Sequence, residues 1–337
     1  MEKKSGKGEL YTVIDVGSNT VKYSSYRVKW GKKGFSQKKC GGRSETVRLI
    51  HYIKDGILSE EGLSNLCAVL RTFKESALQD EVPEEHLFCF ATAGFRRLAS
   101  PETVIAEVYR RTGVTIRLLT GQEEAAMSFR GMLLTTSPRT NEGLMLDMGG
   151  GSTEILGFRN DEAFSAISHP FGALSLYEDF VKGEFPTAEE AEQIRRFVRE
   201  TVQGSCEFQE RIVASDGSVH GYIVGGTAKA IGAMNVARNA DKSINAENPE
   251  TPPEQKKKSR PILSFAAFKD QLNAYLTGEE GERERIREAY PDRYRVITPG
   301  MLAYVEIFTL AGVETVHIAD GGLRDGYLYE YLKEQCK

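Results

Sequence analysis

Between two apolar runs, Gly143–Leu146 and Ile155–Gly157, the chain places Asp147, Met148, Gly149, Gly150, Gly151, Ser152, Thr153 and Glu154. The runs read as two short strands, and the three successive glycines leave a turn without side chains. Such a turn lets backbone N–H groups approach an anion closely, with the Ser152 and Thr153 hydroxyls as further donors. Asp147, at the end of the first strand, stands where a magnesium ion bridging protein and phosphate oxygens is held. A hairpin without a ligand is the alternative, but a plain hairpin turn needs one or two glycines and no carboxylates on both flanks.

The plan recurs near the N-terminus. Tyr11–Ile14 is an apolar strand, then come Asp15, Val16, Gly17, Ser18, Asn19 and Thr20, and a second strand starts at Val21. Repetition of a whole strand, turn, strand unit points to duplication and two related lobes, and 337 residues are long for one core. Two phosphate loops facing each other across a cleft would grip a chain of phosphates from both sides.

The chain is 40% hydrophobic and 27% charged, the balance of a soluble globular protein. Its net charge of −4 offers no global attraction to nucleic acid or an anionic membrane, so a polyanion must meet a local patch. Cys40, Cys67, Cys89, Cys206 and Cys336 are odd in number and scattered, which reads as reduced thiols in a cytoplasmic protein. Met1–Leu10 has no apolar core of a leader, and no run is long enough for a membrane span.

Along the chain, Val21–Trp30 continues as a strand, and Gly31–Gly42 reads as a solvated tip bearing Lys32, Lys33, Lys38 and Lys39. Thr46–Tyr52 is strand-like. Ser59 caps a helix that buries Leu63, Leu66, Leu70 and Phe73, and Pro83 breaks the pattern. Strand Leu87–Ala91 leads to Arg96, whose guanidinium suits phosphate oxygens, although a lone Arg is more often an ion-pair partner. Ser100 and Pro101 start a helix that Gly113 ends. Strand Thr115–Leu119 precedes Glu123 and Glu124 in a first helical turn; capping accounts for one acid and leaves the other to orient an attacking water.

Further on, a helix begins near Ala173, and Thr187 with Glu190 predicts a capping box for a helix to about Val202. Strand Tyr222–Val224 opens onto Gly225, Gly226, Thr227 and Lys229, a third anion site, before the helical Ala230–Val236. Residues 241–261, rich in Pro and Lys, read as a basic linker. Ser264 caps a helix to Tyr275, and Arg283–Tyr290 is helical. Arg293–Gly300 then precedes another helix and strand Thr315–Ala319.

Taken in order, Asp15–Thr20, Ala91–Arg96, Gly121–Ala125, Asp147–Glu154, Gly225–Lys229, Pro299–Gly300 and Asp320–Gly326 resemble the motifs of the exopolyphosphatase and guanosine pentaphosphate phosphatase family. The resemblance implies an α/β protein of two ribonuclease H-like lobes, of the actin, Hsp70 and sugar kinase superfamily, with an interlobe cleft. It divides the chain into lobes 1–133 and 134–337, with a terminal helix of about 324–337 packing back on the first. It implies magnesium-dependent hydrolysis of the terminal phosphoanhydride of polyphosphate or of guanosine pentaphosphate (pppGpp). The family's base falls on Glu124, and its metal-associated acids on Asp147, Glu154 and Asp15. Phosphate-contacting positions fall on Gly17, Ser18, Asn19, Thr20, Arg96, Gly149, Gly150, Gly151, Ser152, Thr153, Gly225, Gly226, Thr227 and Lys229. The chain stops where longer relatives append an HD-type helical domain, so the short form is expected.

The chain departs from the family pattern at Ser100, where relatives carry an Asn, and at Ser175, where they often carry an Arg. Polyphosphate is the expected substrate, without nucleic acid or membrane partners. Release of phosphate from pppGpp, a kinase on the same fold and a non-catalytic sensor are the competing readings. A symmetric homodimer is the base-rate expectation.

Overall fold

A computed structural model describes residues 8–32, 34–136, 142–203, 213–214, 217–244 and 262–336. Two compact units divide the chain, Met1–Gly131 with Leu323–Lys337 in one and Met132–Gly322 in the other.

In the first unit, β1 (Glu9–Val16), β2 (Thr20–Gly31) and β3 (Gly34–Thr46) form an antiparallel meander. The short pair β4 (Ile53–Lys54) and β5 (Ile57–Leu58) leads to α1 (Glu60–Gln79). There follow β6 (Leu87–Ala91), α2 (Ala93–Arg96), α3 (Pro101–Thr112), β7 (Ile116–Leu118) and α4 (Gly121–Thr135). The sheet order is β3-β2-β1-β6-β7, with β6 parallel to β1 and β7 parallel to β6. This meander with two added parallel strands is the ribonuclease H-like plan. Both faces of β1 are covered: Ile14 and Val16 pack with Leu66, Leu70 and Phe73 of α1, and Tyr11 and Val13 with Tyr327, Leu328 and Leu332 of the C-terminal helix Leu323–Glu334. The four buried positions read for α1 are its core face, and Ser59 accepts from the Gly62 N–H at 3.2 Å.

The second unit repeats the plan. Strands β8 (Glu142–Met148), β9 (Thr153–Arg159) and β10 (Glu162–His169) form the meander, followed by α5 (Ala173–Phe180) and α6 (Ala188–Val202). Next come β11 (His220–Val224), α7 (Gly225–Ile244), β12 (Ile262–Ser264), α8 (Phe265–Thr277), α9 (Glu282–Ala289), α10 (Tyr294–Leu310) and β13 (Thr315–Ile318). The order is β10-β9-β8-β11-β13-β12, with β8, β11 and β13 parallel and β12 added antiparallel at the edge. Helix α10 is buried along most of its length and lies against α5, α6, α7 and α8. No helix among the described residues is long and apolar enough to cross a membrane.

Several local expectations are corrected. Residues Gly34–Thr46 form a strand rather than a tip, because their ladder to β2 satisfies the backbone without any apolar face. Thr46–Tyr52 is accordingly no strand: β3 ends at Thr46 and a 3-10 turn spans Leu49–Tyr52. Ser100 precedes α3, but its side chain makes no cap bond. Helix α7 starts at Gly225, ahead of Ala230, and α10 runs through Pro299 rather than starting after it. Of the basic stretch 241–261, residues 245–261 lie outside the described residues, as does Cys206. Cys67 and Cys89 are buried, and burial pushes both thiols up, away from reactivity; Cys40 and Cys336 are exposed.

Candidate active site

Parallel strands end together, so whatever follows them gathers at one edge of a sheet. In the first unit Val16 pairs with Ala91, and Ala91 with Leu118. Asp15, buried at 7% exposure, therefore shares that edge with the turn Gly17–Asn19, with α2 and with the start of α4. The turn's carbonyls are taken: Asn19 O accepts from the N–H groups of Val47 and Arg48, and Ser18 O from that of Ile50. Helix α2 leans on the turn so closely that a Cβ on Gly94 would lie 3.3 Å from Ser18 Cα.

The two acids opening α4 divide their work. Glu123 accepts from the Thr120 N–H at 2.8 Å, returns the capping box through its own N–H, and takes Arg117 Nη2 at 2.6 Å. Burial acts to raise its carboxyl, yet the bonds from Thr120 and Arg117 prevail and hold it below the usual range. Glu124 points elsewhere. It is nearly buried and receives Arg96 Nη1 at 2.7 Å, while the same nitrogen donates to Leu119 O at 3.1 Å. Arg96 and Glu124, read from sequence as separate candidates, thus form one ion pair.

In the second unit the glycine turn closes a hairpin, with the Gly149 N–H donating to Ser152 O at 2.9 Å. The register sets Asp147 directly opposite Glu154. Directly opposed residues share a face with Cβ atoms about 5 Å apart, and like charges so placed repel. Glu154 is 1% exposed and accepts from Ser168 Oγ at 2.8 Å, whereas Asp147 is half-buried. Two carboxylates fit magnesium in its usual protein mode, one or two acids with water and phosphate oxygens completing the shell. Among the described residues no group of three His, Cys, Asp or Glu forms a metal cage by itself. Tyr304 of α10 is fully buried near them, and burial together with the Asp147 charge pushes its phenol well above the ordinary value.

The start of α5 clasps the back of the turn. The N–H of Ala173 donates to Gly149 O, and those of Leu174 and Ser175 to Gly150 O, at 3.0–3.1 Å. The Thr153 hydroxyl, fully buried, donates to Phe171 O at 2.7 Å, so this candidate phosphate donor instead braces the loop. Ser175 accepts the Gly172 N–H at 2.9 Å, giving the departure from the family pattern a local structural role. A Cβ on Gly172 would stand 2.6 Å from Gly149 O and 2.7 Å from Gly151 N. Gly172→Ala is therefore expected to cost about 1–3 kcal/mol by overpacking, read as a lower Tm in thermal denaturation, and to displace the turn.

The third glycine site begins a helix, as expected, but its cation is another residue. Gly225 (φ +99) lies beside Asp147, its absent Cβ only 3.0 Å from Asp147 Oδ1. Lys229 is exposed on the second turn of α7, and the Thr227 methyl packs toward Gly300. It is Arg293 that reaches the helix start: a Cβ on Gly226 would be 2.5 Å from Arg293 Nη1. A cation beside the positive end of a helix dipole is unfavourable unless an anion joins it. No motif around Arg293 marks this in sequence, because the contact joins positions 67 residues apart.

Comparison with known proteins bears on the family and the fold. The sequence profile described as the Ppx/GppA phosphatase family matches residues 36–335. The chain belongs to that family. A guanosine-5'-triphosphate,3'-diphosphate pyrophosphatase of Pseudoalteromonas translucida is 27% identical over 333 residues, covering 96% of this chain and 60% of the relative. One of the same name from Vibrio vulnificus is 25% identical, covering 98% of this chain and 61% of the relative. The chain thus spans about 60% of the length of these curated relatives. Among solved structures, an exopolyphosphatase from Cytophaga hutchinsonii superposes with TM-score 0.79 at 18% identity, covering 97% of this chain and 98% of that one. The Aquifex aeolicus Ppx/GppA family member gives 0.73 at 23% identity over the same shares. These likenesses establish the fold as the actin-like α/β architecture of two ribonuclease H-like units.

Proposed function

We propose that the protein hydrolyses the terminal phosphoanhydride of a phosphate chain, with inorganic polyphosphate as substrate. Water adds to the terminal phosphorus, the bridging P–O bond breaks, and orthophosphate leaves a chain one phosphate shorter. The observation that carries this reading is the opposition of Asp147 and Glu154 beside the glycine turn, two acids whose repulsion a divalent cation would relieve. Held by Asp147 and Glu154, magnesium would supply charge neutralisation at the anhydride oxygens.

The chain's own residues do the rest. Glu124 aligns the attacking water and accepts its proton, and Arg96, bonded to it, fixes the carboxylate's direction. Backbone N–H groups of Ser18–Thr20, with the Ser18 hydroxyl, and of Gly150–Ser152, with the Ser152 hydroxyl, are the donors offered to phosphate oxygens, the Gly17 and Gly149 N–H groups being used to close their turns. The start of α7 at Gly225–Thr227, with Arg293, takes a further phosphate. One glycine turn per unit suits a ligand that is phosphate along its whole length.

The names of the two curated relatives favour a second reading, pppGpp as substrate. Phosphate release from long polyphosphate and from pppGpp, measured on one preparation with magnesium, decides between them. A higher kcat/KM on polyphosphate is expected, the reverse order favours pppGpp, and tight binding without release marks a sensor. Chelation by EDTA is expected to lower release at least about a hundredfold.

A further inference from the structure

Residues 20–46 carry eight Lys or Arg and one acid, a formal +7 within a chain of net −4, which leaves −11 elsewhere. These residues are β2 and β3, and β3 is the sheet's edge, exposed at every residue from Lys38 to Thr46. The register places Lys29 opposite Ser36, Arg27 opposite Lys38 and Tyr23 opposite Arg43. All of these share one face, because a bulge at Cys40 keeps β3 in step with the odd-numbered residues of β2. The other face is closed by the C-terminal helix, to which Gln37 donates at Asp325 O.

At the inner end, Arg43 lies 5.6 Å from the Tyr23 ring centroid and donates to Ser76 of α1. Outward from it, Lys38, Arg27 and Lys29 continue a basic line of roughly 20 Å. One or two lysines suffice to stop an edge strand from pairing with a neighbour. Placing Arg27 directly across from Lys38 goes further and sets two cations at one register position. A regularly charged anion lying along the face meets both at once. The strand carrying the line starts at Thr20, immediately after the phosphate-binding turn Gly17–Asn19. Trp30 at the far end belongs to the opposite face, where it donates to Glu9 at 2.9 Å and meets Phe35 edge-on at 5.6 Å, so base stacking is not what the basic face offers.

We infer that this face of β2 and β3 binds inorganic polyphosphate remote from the bond that is cut, a distal track that confers preference for long chains. The inference rests on the phosphohydrolase reading for its purpose, though not for its binding. The test is Lys29→Glu with Lys38→Glu, both exposed and outside the catalytic machinery. KM for long-chain polyphosphate is expected to rise about tenfold, with a weaker salt dependence than the parent. Kinetics on tripolyphosphate are expected to stay unchanged. Equal KM for long chains in parent and variant overturns the track. Binding of long polyphosphate in EDTA separates the two claims: lost affinity in the variant sustains the track even where no chain is hydrolysed. Unaltered polyphosphate affinity with loss of single-stranded RNA binding would assign the face to nucleic acid and overturn it as well.

Discussion

Replacing Glu124 by Ala is expected to lower kcat for phosphate release by about 10²–10⁴-fold, the usual contribution of a positioned general base. Binding of polyphosphate should survive and even tighten, because the substitution frees the Arg96 guanidinium from its 2.7 Å partner. That sign distinguishes the proposal from simple damage to the site. Stability should fall by about 2 kcal/mol, less than for a wholly buried pair, since the Arg96 side chain is 25% exposed. Glu124→Gln keeps the shape and should lose the same turnover. Glu123→Ala is the control: it removes a helix cap and about 1 kcal/mol, and leaves kcat nearly intact. Single-turnover phosphate release with a parallel binding titration reads all three. Lost binding with normal residual turnover in Glu124→Ala would remove Glu124 from the chemistry.

The glycine turn was legible because its composition has few folded solutions, and the structure places it between β8 and β9 as read. Helix α6 was legible for a similar reason: Thr187 and Glu190 exchange the two bonds of a capping box, a local motif in a local span. What escaped the sequence is non-local. Strand β3 has no apolar alternation, and only its ladder to β2 makes it a strand. Pro299 reads as a boundary, yet the first turns of α10 already stand before it, held by burial of Ile297 and Thr298. The pairing of Arg96 with Glu124 and the approach of Arg293 to Gly226 link distant segments, which no spacing reports. Thr153 shows the converse, a hydroxyl of the right type at the right place whose proton is spent on the Phe171 carbonyl.

Asp147→Asn should separate function from stability most sharply. The substitution keeps size and removes one of two opposed charges. Relief of repulsion with Glu154 stabilises the hairpin by several tenths of a kcal/mol. Against this, Asp147 Oδ1 lies beside Gly225 at the positive start of α7, and losing that interaction costs about 0.3–1 kcal/mol. The two terms oppose and are of one size, so Tm measured without divalent ions should move little. Turnover should not be spared, because half of the proposed protein ligation of magnesium in this unit is gone. A fall in kcat of roughly 10²–10³ is expected, with half-maximal activity displaced to higher magnesium concentration. Glu154→Gln should shift the magnesium dependence in the same direction and keep an oxygen to accept the Ser168 hydroxyl, but it puts an amide NH2 where a 1% exposed carboxylate stood, and so costs stability where Asp147→Asn does not. Magnesium titrations of activity alongside melting curves for both variants test this. Unchanged magnesium dependence in both would place the cation elsewhere and leave the opposed acids with no account in the proposed reaction.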